Sequence, residues 1–231
     1  MRPAGTAVVL GAGRGIGAAT ARSLAAHGHH VVVVARTGSE VDGVVRTIVD
    51  ANGRARGIAA DLTDDDDYER AMDSIRTTEQ AVDVLVVCAG TARLGSSGDV
   101  PWHELEAMLR VHVVLPYRAI ASLRGQLSRR RGRVVIIGSR AGRSPQPRAV
   151  AYGTSKAAVA YLVRSLAGDL KADGIAVCAV NPGAVDTRLR REAVGPEAPR
   201  GTSPESVAEV VTLLAMFDNA ELTGTVVDLP W

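Results

Sequence analysis

Short, unbroken apolar runs alternate with helix-length amphipathic segments along almost the whole chain. Thr6–Leu10 reads as a buried strand, and the glycine-bearing stretch GAGRGIG follows at once. An alanine-rich amphipathic segment, residues 16–27, then predicts a helix that stops at Gly28. The alternation continues with strands at 31–34, 55–60, 82–88, 133–137, 175–180 and 225–229, and with helices at 41–51, 102–124, 149–170 and 204–217. The acid run 64–67 stands where a further helix should begin, as favourable charge at its N-terminus. Strands that are apolar throughout, not at every second position, are buried on both faces. The expectation is therefore one doubly wound α/β domain over residues 1–231, a seven-stranded parallel sheet with helices on both faces. Residues 191–203, with Gly195, Pro196, Pro199 and Gly201, form the only substantial irregular insertion and are a candidate substrate lid.

Composition narrows the function classes. At 231 residues and 46% hydrophobic content the chain can bury a sizeable single core, and no repeat or low-complexity linker divides it. A net charge of +2 is too mild to argue for nucleic acid or a membrane surface. Cys88 and Cys178 both lie in apolar runs, as reduced core thiols of a cytoplasmic protein would. Neither a signal-like leader nor a membrane-length apolar run is expected, and no metal is called for.

Two stretches carry candidate chemistry. Gly11, Gly15 and Gly17 fall at the turn from the first strand into the first helix, where a tight backbone and unpaired helix N–H groups suit a pyrophosphate. Tyr152 and Lys156 stand four apart on one face of a predicted helix. A phenol is a poor acid/base at neutral pH, and a neighbouring ammonium would stabilise its phenolate and lower its pKa. Ser139, thirteen residues upstream, follows a buried strand, where its hydroxyl can meet a substrate oxygen. Alone, the Tyr–Lys spacing equally describes a solvated helical pair.

Taken together, LGAGRGIG, ADLTD, VCAG, the Ser139/Tyr152/Lys156 spacing and NPG occur in order on the expected elements, and the chain resembles the short-chain dehydrogenase/reductase family over nearly its whole length. The resemblance implies a Rossmann-type fold and a catalytic set of Ser139, Tyr152 and Lys156. It implies cofactor contacts from Gly11, Gly13, Arg14, Gly15, Ile16 and Gly17 in the glycine turn, and from Arg36 and Thr37 after the second strand. Further contacts would come from Asp61 and Leu62 beside the adenine, and from Ala89 and Gly90. Tyr152, Lys156, Pro182, Gly183, Val185 and Thr187 would complete the set at the nicotinamide end. Two positions depart from the family pattern. His112 replaces an asparagine that helps hold a proton-relay water, and is either a relay or a structural substitute. Cys88 replaces an asparagine that tightens the sheet.

In relatives that use NAD, an aspartate usually ends the second strand. Here Ala35 stands there, followed by Arg36, and with Arg14 two guanidinium groups could bracket a 2′-phosphate with no carboxylate to repel it. The resemblance thus implies an NADPH/NADP+ enzyme that reduces a ketone or aldehyde to an alcohol. It also implies a homo-oligomer, tetramer or dimer, built through the two long helices. The arginines at 129–131, 188, 190 and 191 raise a carrier-protein-bound substrate, as in 3-oxoacyl carrier-protein reductases, or else form a solvated face. The alternatives are an imine or enone reductase, a dehydratase, and a non-catalytic NADP(H) sensor or scaffold.

Overall fold

The computed structural model describes residues 4–217 and 222–230. Seven parallel strands form one sheet in the order β3-β2-β1-β4-β5-β6-β7. They are β1 (Thr6–Leu10), β2 (His30–Ala35), β3 (Arg54–Ala59), β4 (Val84–Val87), β5 (Arg133–Ile137), β6 (Ala176–Asn181) and β7 (Val226–Asp228). Because side chains alternate across a strand, β1 sends Val8 and Leu10 into one core and Ala7 and Val9 into the other.

The first core is closed by α3 (Asp65–Thr78), α5 (Leu115–Ser128) and α6 (Val150–Asp169), through Tyr68, Met72, Leu123, Val159 and Val163. The second is closed by α1 (Gly15–Ala26), α2 (Gly38–Asp50) and α8 (Pro204–Met216), through Leu24, Val44, Ile48, Val207 and Val211. The strand order reverses between β1 and β4, and in open parallel sheets ligands bind beyond the strand C-termini at such a point.

Two elements differ from the sequence expectation. The helix expected over 102–124 is α4 (Trp102–Leu109), then a π turn over Arg110–Val114, then α5. The wider turn holds His112 in the interior at 2% exposure. The stretch expected to be irregular from 191 is entered by a helix, α7 (Arg188–Val194). The Thr187 hydroxyl caps it by accepting from the Arg190 N–H at 3.2 Å, and Gly195 at φ 95° ends it. Four of its seven residues are charged and it buries no apolar stripe, so periodicity is silent there. The acid run behaves as expected: Asp64 caps α3 by accepting from the Asp67 N–H at 2.9 Å. Cys88 and Cys178 are free, and burial pushes both thiols up to about 12. Among the described residues, no helix is long and apolar enough to cross a membrane.

Candidate active site

The C-terminal ends of β1, β4, β5 and β6 open into a single cleft of about 1220 Å³. All the residues singled out for chemistry or for cofactor contact line it, from Gly11 to Thr187 and including His112. Ser139, Tyr152 and Lys156 meet at its floor because a 3₁₀ turn after β5, Arg140–Gly142, lies directly on the backbone of α6. A Cβ on Gly142 would sit 2.5 Å from the Lys156 carbonyl carbon, so only glycine permits that approach.

Burial is the dominant electrostatic influence on this cluster. It lowers the Lys156 ammonium to about 8 and turns the amine onto the Ile137 carbonyl oxygen at 2.9 Å. It also raises the Tyr152 phenol, against a hydrogen bond with the Ser139 hydroxyl that works the other way. The four-residue spacing predicts a phenol lowered by its lysine. In this structure the Lys156 amine is turned onto Ile137 and burial decides the direction, so Tyr152 remains a protonated acid at neutral pH.

His112 is held at both ring nitrogens. Nε2 accepts from the Thr91 N–H at 3.2 Å, so the neutral ring carries its proton on Nδ1. That proton faces the Ser155 hydroxyl at 2.9 Å, which in turn donates to the Tyr152 carbonyl oxygen at 2.7 Å. The ring also meets Tyr152 edge to face, with centroids 5.9 Å apart. Burial, aided by the Lys156 charge, pushes its pKa down to about 2, so the ring stays neutral. These contacts hold the ring in one neutral tautomer.

Below the ordinary histidine value of 6.5 the unfolded chain binds a proton that folded His112 refuses, so its contribution falls with falling pH. By about pH 5 that loss is about 2 kcal/mol. In His112→Asn the part of the acid sensitivity seen between these pH values in urea titrations should shrink; an identical pH profile would contradict the buried neutral ring.

Asn181 of the NPG motif and Asp228, neither of them among the expected site residues, support the serine. Asn181, 4% exposed, accepts the Ser139 N–H on Oδ1 at 3.0 Å and donates from Nδ2 to Asp228 Oδ1 at 3.0 Å. The other Asp228 oxygen takes Arg143. The C-terminal strand therefore braces the turn that carries Ser139. A carboxylate in an otherwise apolar terminal strand was the available signal.

The cleft residues fit a dinucleotide. Arg14 precedes α1 without any side-chain cap, leaving the first N–H groups of the helix for a ligand. Gly17 packs so closely under the turn that a Cβ there would stand 2.2 Å from the Gly11 carbonyl oxygen. At the adenosine end, the expectation that no carboxylate is near needs correction. Glu40 pairs with Arg14 at 3.2 Å, and Arg36 lies 3.7 Å from Asp61. Glu40 begins α2 and reaches the glycine turn only through tertiary packing.

Comparison with known proteins agrees with this geometry. The profile of the short chain dehydrogenase family matches residues 5–197. Cis-4-hydroxycyclohexanecarboxylate dehydrogenase of Sinomonas cyclohexanicum is 35% identical over 235 residues, covering 95% of this chain and 92% of that protein. A 7α-hydroxysteroid dehydrogenase solved with NADH and 7-oxo glycochenodeoxycholic acid superposes with a TM-score of 0.90 at 25% identity, covering 97% of this chain and 92% of that one. A Beutenbergia cavernae protein described as an NAD(P)-dependent gluconate 5-dehydrogenase, with NADP bound, gives 0.88 at 30% identity and covers 96% and 94%. The fold is thus one that holds nicotinamide cofactors, NADH in one neighbour and NADP in the other. With its matched profile, its sheet order and its cleft, the chain belongs to the short-chain dehydrogenase/reductase family.

Proposed function

We propose that the protein is an NADPH-dependent reductase that converts a ketone to a secondary alcohol. The observation that carries this is the meeting of Ser139, Tyr152 and Lys156 at the floor of the cleft into which the glycine turn opens. The pyrophosphate would rest on the turn from Gly11 to Gly17 and the start of α1. Asp61 and Leu62 would flank the adenine, Ala89 and Gly90 the adjoining ribose, and Pro182, Gly183, Val185 and Thr187 the nicotinamide. When bound, NADPH supplies the hydride. Ser139 donates a hydrogen bond that orients the substrate carbonyl, and Tyr152 delivers the proton to its oxygen. Lys156, mostly cationic at neutral pH, holds the nicotinamide ribose hydroxyls and stabilises the phenolate left behind. Tyr152, protonated at neutral pH, is in the form that can donate to the substrate oxygen.

The phosphate preference rests on Arg14 and Arg36. Their side chains are 42% and 74% exposed, and ion pairs that open to solvent contribute at most about 1 kcal/mol, so a dianionic phosphate can displace Glu40 and Asp61. Ala35 adds no carboxylate at the ribose. The two relatives that act at a ring carbon support an alicyclic ketone as substrate. The segment 188–203 would cover it, with α7 as its ordered part. Exposed Tyr117 on α5 and Tyr161 on α6 support assembly through the long helices, and the two free thiols support a cytoplasmic setting.

Absorbance assays of NADPH and NADH with matched ketones, imines and enones test this reading. Turnover of ketones, faster with NADPH, is the expected result. Imine or enone turnover alone would replace the reaction, equal rates with both cofactors would remove the phosphate assignment, and no turnover of any class would favour a sensor.

A further inference from the structure

The cleft is lined by several arginines, and their partners divide them sharply. Arg14 pairs with Glu40 at 3.2 Å, Arg36 with Asp61 at 3.7 Å and Arg110 with Asp65 at 2.8 Å. Arg188 pairs with Glu192 at 2.6 Å, Arg191 pairs with Asp186, and Arg140 donates to the Pro230 carbonyl oxygen at 3.1 Å. Arg190 also lines the cleft and is half-buried, yet its guanidinium has no ion pair or hydrogen bond among the described residues. Only its backbone is engaged, through the cap from Thr187.

Position on α7 separates Arg190 from the cofactor phosphates. Arg188 approaches Glu40 at 3.9 Å, and Glu40 lies against the glycine turn. Two residues along a helix is a rotation of roughly 200°, so Arg190 leaves α7 on the face away from that turn. The same cleft also has apolar lining from Leu94, Ala149, Val185, Leu189 and Val194. A guanidinium on the cleft wall with no counter-charge is free to take a carboxylate through two parallel N–H···O bonds.

We propose that Arg190 binds a carboxylate borne by the substrate, so that the protein reduces a ketone that is also a monoanionic acid. This rests on the reductase reading and names the substrate class within it. One carboxylate matches the one guanidinium of the cleft that has no partner among the described residues, while Arg188 and Arg191 pair with Glu192 and Asp186.

Two measurements test it. In the first, kcat/KM is compared for 4-oxocyclohexanecarboxylate and its methyl ester. The wild type should favour the acid by about 10- to 100-fold, and Arg190→Gln should bring that ratio close to one, with Arg190→Lys recovering part of it. In the second, calorimetry on the protein–NADP+ complex compares cyclohexanecarboxylate with cyclohexanecarboxamide, and the carboxylate should bind more tightly only when Arg190 is present. An unchanged acid-to-ester ratio in Arg190→Gln overturns the proposal. So does a raised NADP+ dissociation constant with the ratio intact, which would assign the charge to the cofactor. If no ketone is turned over, the reductase reading fails, while the calorimetric comparison still decides whether Arg190 holds a carboxylate.

Discussion

Tyr152→Phe is expected to lower kcat for ketone reduction by about 10²- to 10⁴-fold while leaving NADPH affinity nearly intact. The substitution removes one oxygen from a ring that is otherwise held by packing. The edge-to-face contact with His112 and the backbone bond to Ser155 remain, so the α6 turn keeps its place. What disappears is the hydroxyl that is both protonated at neutral pH and hydrogen-bonded with Ser139. Stopped-flow NADPH oxidation, with cofactor titration by fluorescence, separates the two effects. Unchanged turnover would remove Tyr152 from the reaction, and lost cofactor affinity would make it a binding residue first.

Gly17→Ala is expected to weaken NADPH binding severely and to destabilise the fold by about 1–3 kcal/mol. The added methyl would stand 2.2 Å from the Gly11 carbonyl oxygen and 3.0 Å from the Ala12 Cα, and both are backbone atoms of the turn. Neither can swing aside as a side-chain tip would, so α1 and the glycine turn must separate, and the pyrophosphate seat is made from both. A displacement of about 1 Å in such a seat is enough to cost about 10²-fold. Gly43→Ala is the matched control. It lies in α2 with no atom within 4 Å of the new Cβ, and should gain about 0.5–1 kcal/mol from helix propensity. Thermal melts of the pair should move in opposite directions and NADPH affinity should fall only in Gly17→Ala; a Gly17→Ala protein that binds NADPH like wild type would contradict the assigned seat.

Much of the fold could be read from local pattern because the central strands β1, β2, β4, β5 and β6 bury nearly every residue on both faces, whereas the edge strands β3 and β7 are only partly buried. Val31 to Val34 is the clearest instance, fully buried between the two helical layers. The four-residue spacing of Tyr152 and Lys156 likewise encodes a shared helical face. What escaped the sequence depends on partners distant along the chain. α7 was missed because its stability comes from the Thr187 cap and charged contacts, not an apolar stripe. Glu40 lies beside the glycine turn only after α2 packs there, which is why Arg14 looked free. The Asn181–Asp228 brace joins residues on two neighbouring strands, and no spacing announces it. The direction of the Tyr152 shift was also hidden, because the cost of burial is set by all the atoms that close over the phenol.

The most direct test of the central claim follows the transferred hydrogen. The protein is incubated with an alicyclic ketone and NADPH deuterated at the position that leaves the nicotinamide, and the alcohol product is read by mass spectrometry and NMR. One deuterium on the carbinol carbon, in an alcohol that Tyr152→Phe forms at least about 10²-fold more slowly, is the predicted result. An alcohol formed without deuterium, or cofactor binding with no transfer to any ketone, would contradict the account.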